Sequence, residues 1–513
     1  MRLPRVAAAA PSGRATFAAG RGGDLAALGA GAASVLAFAP FAAWPLAVLC
    51  PALLFALWSG LGARRAAWRG FLYGAGEFLC GIYWIYIAVS GLGPGPWWLG
   101  VLLYVALALA CAVFPAVVGY AAVRFAPGPG LTWLLAVPAA WTLLEWVRSF
   151  VLTGFPWLAL GFSQPTSPLG GFAPLAGTYG VSFACVTAAV LVVIVFRPRR
   201  WREAIFPAAA LGALFVAGFL VGRIPFTQPA GKAFSVSLVQ GDIPQHEKWQ
   251  GRMIKPIIRR YWLLTQRHRK SDVVVWPEAA IPIWYSEVAP AVEKMAAAVQ
   301  RRGTELVFGV PIYEFGSGDS YNAVMAVGGG RSVYYKRHLV PFGEYFPVPD
   351  WIKGWLSAHS LPYSSFTPGP RVQPPLAVGQ WKAAVANCYE VAFGRLLNTQ
   401  LPAAQFIINA SDDGWFGRSI APAQQFQMAR VAARASGRYL LAVTNSGVTG
   451  IVGPRGGLRS RLPPDQVGVL DGRVVPLAGA TPYVRFGNAL IVFVSLGLFV
   501  AGLVFALVRR RRG

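Results

Sequence analysis

Three short stretches of this chain end a β-rich run on a side chain suited to acyl transfer. "VVVWPEAAIP" puts Glu278 just after a run of valines, with Pro277 stopping the strand. "YYKRHLVPFGEYFP" puts Lys336 after two tyrosines, and "AVANCYE" puts Cys388 after small residues. A thiolate attacks a carbonyl, a carboxylate accepts the thiol proton, and an ammonium holds the negative oxygen that forms. The backbone N–H of Tyr389 is a second candidate donor to that oxygen. Of the five cysteines, Cys50, Cys80, Cys111 and Cys185 lie in long apolar runs, and only Cys388 does not. A solitary cysteine is more often packing than chemistry. The order and context of the three motifs are what favour chemistry here.

The elements that must position these groups alternate. Between residues 233 and 475, β-rich runs at 234–240, 272–278, 305–313, 321–329 and 405–411 are interleaved with helical patterns at 250–269, 288–302 and 420–436. Such alternation predicts an α/β layered domain with chemistry at its strand ends. The flanks differ. The whole chain is 55% hydrophobic and 13% charged, outside the balance of a soluble globular protein. A span needs about 20 apolar residues. Seven such runs precede residue 223: a pair within 24–60 broken near Pro40 and Pro45, then 71–89, 97–123, 131–150, 172–196 and 204–222. An eighth covers 488–508.

The net charge of +26 divides evenly. Residues 223–485 hold 29 Lys+Arg and 16 Asp+Glu (29 − 16 = +13), and the rest hold 17 and 4 (17 − 4 = +13). Much of the second set lies in the tail before residue 24, in "GARRAAWRG" (62–70), in "RPRRWRE" (197–203) and in the terminal "RRRRG". The alternate loops 91–98 and 153–168 carry no Lys or Arg. Positive loops stay cytoplasmic. The expected layout is therefore a cytoplasmic tail (1–23), a seven-helix membrane domain (24–222), an extracytoplasmic domain (223–487), an eighth span (488–508) and a second cytoplasmic tail (509–513). In a bacterium that places the domain in the periplasm, and the first span reads as an uncleaved anchor. No recognised nucleic-acid module is present, so the charge does not imply nucleic acid. No CxxC or Cys/His spacing suggests a metal, and neither metal nor cofactor is expected.

The order Glu–Lys–Cys on successive strand ends resembles the nitrilase, or carbon–nitrogen hydrolase, superfamily, which implies a four-layer α–β–β–α sandwich. "SLVQGDIPQHEKW" (237–249), "KRHLVPFGEYFP", "NCYEVAF", "GWFGRSIAPAQQFQMARVAARASGRYLLAVTNSGVTGIV" (414–452) and "TGFPWLALGFSQ" (153–164) narrow the resemblance to the apolipoprotein N-acyltransferases, over nearly the whole chain. The resemblance implies Glu278 as general base, Lys336 as transition-state stabiliser and Cys388 as nucleophile. It also implies supporting or substrate-binding roles for Trp249, Asn322, Glu344, Tyr389 and Glu390. The implied partners are a phospholipid acyl donor and a diacylated apolipoprotein acceptor in the bacterial inner membrane, and nothing requires more than a monomer. "SDDGWFG" (411–417) departs from the family's Asn-Asp/Ser-x-Trp-Phe-Gly.

Two other readings compete. The triad alone would also suit a membrane-tethered amidase, and Cys388 with His338, expected to be solvated, would suit a thiol peptidase. Within the spans, Glu145 and Arg148 stand three apart on one helix face, which predicts a mutual salt bridge or contact with a lipid headgroup. The aromatics of "GPWWLG" and "FPWLALGF" suit a membrane interface.

Overall fold

The computed structural model describes residues 20–91, 97–125, 128–197, 200–268, 270–345 and 366–512. Arg2, Arg5 and Arg14 of the basic tail, most of the 91–98 loop, Arg199 and the end of the "FGEYFP" motif lie outside the described residues.

The α/β half begins with strands β1 (Thr227–Pro229), β2 (Phe234–Gln240), β3 (Val273–Val275), β4 (Glu305–Glu314), β5 (Asp319–Val327), β6 (Arg331–Tyr335) and β7 (Leu376–Val378). It continues with β8 (Trp381–Asn387), β9 (Phe406–Ser411), β10 (Leu440–Thr444), β11 (Gly450–Val452), β12 (Leu458–Arg461), β13 (Gly468–Val474) and β14 (Leu477–Gly479). They form two six-stranded sheets, ordered β13-β2-β3-β4-β5-β6 and β12-β11-β10-β9-β8-β7, with parallel pairing at the centre of each. Alternation along the strands sorts the side chains. Val273 and Val275 enter the core between the sheets, joined by Val385, Ile408 and Val443 from the opposite sheet. Val274 faces outward, against Ile257 and Tyr261 of helix Gly251–Arg267 and Val292 of helix Tyr285–Gln300.

The second sheet's outer face is different. Ala384, Ala386, Ile407 and Leu440 pack on helix Ala421–Ser436, and the same apolar cluster runs without a break into the membrane helices through Val181, Ala184 and Ala188. The layers are thus helix, sheet, sheet, helix, with the last helix also the floor on which the membrane part rests. β1 pairs antiparallel with β14, so the chain enters and leaves this domain side by side.

Among the described residues, four helices are long and apolar enough to cross a membrane: Trp97–Phe125, Leu169–Val195, Arg202–Val221 and Ala489–Val508. Ala63–Gly81 and Trp84–Ser90 make a fifth if counted as one span bent by 52°. The expected pair within 24–60 comprises two short helices of 14 and 13 residues, Arg21–Ser34 and Leu46–Trp58. The stretch 62–70, read as a basic loop, is the start of helix Ala63–Gly81. Its alanines and arginines are good helix formers, and Arg65 and Arg69 pair with Asp24 at 2.5 and 3.1 Å.

Candidate active site

Three strand ends converge. Glu278 follows β3 in a turn laid tightly on β4, where Gly309 N donates to Pro277 O (3.0 Å) and Ile281 N to Gly309 O (3.2 Å). A Cβ at Gly309 would stand 2.6 Å from the Glu278 Cα, so only glycine admits this turn. Lys336 directly follows β6, and its backbone N–H bonds Asn322 O on β5 (2.8 Å). Cys388 directly follows β8 with φ +54°, a left-handed conformation that is strained for a side chain with a Cβ.

The polar groups form one network. Lys336 Nζ donates to Glu278 Oε1 (3.1 Å) and Glu344 Oε1 (2.9 Å). Asn322 Nδ2 donates to the same two oxygens at 2.8 and 2.6 Å, and its Oδ1 accepts from Asn387 Nδ2 (2.9 Å). Asn387 precedes the nucleophile candidate, so the amide chain runs from the carboxylates to the cysteine turn. Glu390 closes that turn by accepting from Asn387 N (2.8 Å), and it also accepts from Tyr334 Oη and from the backbone N–H of Arg337 and His338. Gln425 Nε2 lies 3.8 Å from Cys388 Sγ and 2.8 Å from Ser411 Oγ.

Burial would raise the Glu278 carboxyl, but Lys336, the Asn322 amide and Lys248 outweigh it and hold the group below its ordinary value. Burial would likewise lower Lys336, but Glu278, Glu344 and Cys388 keep it well above the ordinary lysine range. For Cys388, burial and the Glu278 charge push the thiol well up, and Lys336 opposes them without prevailing. The resting site is therefore thiol, carboxylate and ammonium. Activation of the sulfur has to come from proton transfer to a base, not from a standing thiolate.

Seven of the eight residues singled out in the sequence are buried around this network, Tyr389 among them with its Oη on Gly154 O (3.1 Å). Trp249 is the exception, with a side chain 49% exposed. Its neighbour Lys248 turns inward instead, fully buried, donating to Glu278 O (3.0 Å) and Asp412 Oδ2 (2.5 Å). Asp412 N in turn donates to Glu278 Oε2 (3.0 Å). Sequence reasoning missed Lys248 and passed over Asp412, although the unusual aspartate in "SDDGWFG" was the available signal: it gives Lys248 a charged partner. His338, expected in solvent, packs at a tilt against Phe393 with centroids 3.8 Å apart. Burial, then Arg395 and Lys336, lower it to about 4, so it stays neutral near pH 7. Among the described residues its Nε2 is buried without a partner, and no hydrogen bond joins it to Cys388. Of the expected interfacial aromatics, Trp97 and Trp98 are exposed, whereas Trp157 is buried against Tyr389 and Trp84.

A cavity of about 480 Å³ opens beside the site, lined by Phe150 and Thr153 from the membrane part and by His338, Tyr345, Phe366 and Arg395 from the catalytic part. Its wall is mainly apolar, with Arg337 and Arg395 among its lining residues.

Comparisons with known proteins agree with this architecture. Residues 30–191 match the apolipoprotein N-acyltransferase N-terminal domain, and residues 235–483 match the carbon-nitrogen hydrolase family. The apolipoprotein N-acyltransferase of Azotobacter vinelandii is 39% identical over 502 residues, covering 95% of each chain. That of Coxiella burnetii is 37% identical over 462 residues, 90% of this chain and 95% of its own, and that of Nitrosomonas europaea is 37% identical over 495 residues, 95% and 98%. With near-complete mutual coverage at this identity, the chain belongs to the apolipoprotein N-acyltransferase family.

Proposed function

We propose that this protein moves a fatty acyl chain from a phospholipid to the α-amine of an S-diacylglyceryl-cysteine at a lipoprotein's N-terminus, in two half-reactions through a Cys388 thioester. In the first, Glu278 takes the Sγ proton as sulfur attacks the ester carbonyl, at sn-1 of phosphatidylethanolamine in this proposal. The carbon–oxygen bond to glycerol breaks, and Glu278 returns the proton to the leaving alkoxide, releasing a lysophospholipid. In the second, the neutral amine attacks the thioester, Glu278 accepts its proton, and the carbon–sulfur bond breaks. The thiolate takes the proton back. Lys336 and the Tyr389 N–H serve the oxyanion in both. The reaction runs toward the amide because a thioester is the less stable acyl derivative. Water must be kept out, or the thioester hydrolyses.

The observation that carries this reading is the buried Glu278–Lys336–Glu344 cluster beside a neutral Cys388, on a domain whose core is continuous with apolar helices. The proposed setting is the bacterial inner membrane, crossed about eight times, with the catalytic domain in the periplasm, both termini cytoplasmic and the protein a monomer. Incubation with phospholipid should add one acyl group to Cys388 by intact mass, and a diacylglyceryl peptide should discharge it with amide formation. An adduct that appears but is discharged only by water would favour an amidase. No adduct on wild-type protein, or an adduct surviving Cys388→Ser, would remove the thioester.

A further inference from the structure

Glu145 and Arg148 on helix Leu131–Arg148 make no direct salt bridge with each other among the described residues; their hydrogen bonds go elsewhere. Both are buried, and both hydrogen-bond the loop that follows the helix. Arg148 Nη1 donates to Phe155 O (2.7 Å) and Trp157 O (2.6 Å), while Glu145 Oε1 accepts from Leu160 N (3.0 Å). The loop from the helix end to Leu160 holds an unusual density of left-handed backbone: Leu152 at φ +51°, Thr153 at +82°, Gly154 at +94° and Leu158 at +60°. Such conformations persist where surrounding contacts over-determine them. Here the contacts come from two charged side chains of a membrane helix.

What this strained loop touches is the residue after the nucleophile. Gly154 O accepts from Tyr389 Oη (3.1 Å), the Trp157 indole lies over the Tyr389 ring (6.1 Å, 26°), and Trp157 Nε1 donates to Gln424 Oε1 (2.6 Å) on helix Ala421–Ser436. Among the described residues this is the Tyr389 hydroxyl's one hydrogen bond; Phe393 (4.9 Å) and His338 (5.7 Å) pack on its ring from the other side, so the membrane side supplies the polar tether. The Tyr389 peptide N–H is one of the two proposed oxyanion donors, and Cys388 itself is strained. We infer that Arg148 is a positioning residue for acyl transfer: it fixes the 153–158 loop, which fixes Tyr389 and with it the cysteine turn. Glu145 anchors the far end of the same loop. The inference rests on Cys388 being the nucleophile.

Arginine is needed for a geometric reason. One guanidinium nitrogen reaches two carbonyls at fixed angles, which a lysine ammonium on a flexible stem does not reproduce while keeping the charge. Misplacing a reacting group by about 1 Å can cost on the order of 100-fold in rate.

The test is a double-mutant cycle on single-turnover acylation of Cys388, followed by mass, with Arg148→Lys, Tyr389→Phe and both together. Each single variant should slow acylation by about 10- to 100-fold, lower kcat at nearly unchanged KM for phospholipid, and melt close to wild type. The double variant should be no slower than the worse single, because both cut one chain of contacts. Trp157→Phe, which keeps a ring over Tyr389 but loses the bond to Gln424, should be similarly non-additive with Tyr389→Phe and serves if Arg148→Lys does not fold. Multiplicative effects, or a rise in KM alone, would overturn the inference. Cys388→Ser, run in parallel, tests the nucleophile separately: persistence of acyl transfer there would defeat the thioester and with it the reading on which the clamp rests, whereas multiplicative effects with an intact thioester would defeat the clamp alone.

Discussion

Replacing Lys248 with Met tests whether the catalytic carboxylate is held from behind. The substitution keeps the length of the side chain and removes the charge. In the native protein the Lys248 and Asp412 side chains are 0% and 3% exposed and their N···O distance is 2.5 Å. An uncompensated buried charge costs about 3–5 kcal/mol. The orphaned Asp412 keeps only two long contacts, from Gly414 N (3.3 Å) and Asn445 Nδ2 (3.2 Å), both on its other oxygen. These recover little, so we expect a loss of about 3 kcal/mol, or roughly 6–12 °C in the melting midpoint of a domain this size. Acylation should fall as well, because Glu278 O loses its ammonium contact and the Asp412 N–H that holds Glu278 Oε2 is freed to move.

The decisive arm is Lys248→Met with Asp412→Asn, read by scanning fluorimetry in detergent. Removing the second charge eliminates the unpaired carboxylate, so the double variant should regain more than half of the lost midpoint. Asp412→Asn alone leaves the fully buried Lys248 ammonium without its carboxylate and should melt below the double variant as well. A double variant that melts no higher than Lys248→Met, or a Lys248→Met protein that melts with wild type, would refute the charge argument.

Gly309→Ala should keep the protein folded but push the Glu278 turn off β4, lowering the acylation rate by at least about 10-fold; wild-type rates would mean that the 2.6 Å approach is not required. The raised Cys388 thiol predicts slow alkylation by iodoacetamide at pH 7–8, rising only well above pH 9, when the 388 peptide is followed by mass; a plateau near neutrality would indicate a standing thiolate. Glu278 is held below its ordinary value, so the stability its charge contributes is complete above the unfolded value near ~4.3 and is lost as pH falls through the lower folded value. Wild-type and Glu278→Gln midpoints should therefore differ at pH 7 and converge below about pH 4; a constant gap would contradict the sign. His338→Phe should preserve the packing against Phe393 and most of the activity, whereas abolition with Lys336→Ala still active would revive the thiol peptidase.

How much of this was visible in the residues depends on the range of the interaction. The strands at 234–240 and 406–411 and the helices Gly251–Arg267 and Ala421–Ser436 show in local periodicity and lie within a residue or two of their expected ends. Glu278, Lys336 and Cys388 are legible because each ends a β-run. Lys248 was not, since a lysine next to a glutamate in a polar stretch looks solvated until a strand end far along the chain supplies Asp412. Glu145 and Arg148 were noticed, but helical spacing reports only neighbours on the same helix. It cannot report that the chain folds back and offers carbonyls closer at hand. The short helices before residue 60 blurred for a similar reason: Pro40, Pro45 and buried contacts between helices set their ends, not length alone.

The tripeptide at the end of β8 shows why these long-range contacts matter to the chemistry. Cys388 is strained, and a strained turn stays in place only if both sides hold it. Glu390, fully buried, ties it to the backbone that follows Lys336, so the ammonium and the sulfur cannot separate without breaking several bonds to one carboxylate. Tyr389 ties the same turn to the membrane loop through Gly154. A sulfur fixed in this way faces two constraints at once: closeness to its base within the sandwich, and height relative to the apolar helices, where a lipid ester would lie. An amidase acting on a small soluble amide needs only the first. The second constraint has a use only when the acyl group comes from a membrane, and a chain that invests two buried charges in Glu145 and Arg148 to maintain it fits a lipid donor better than a soluble one.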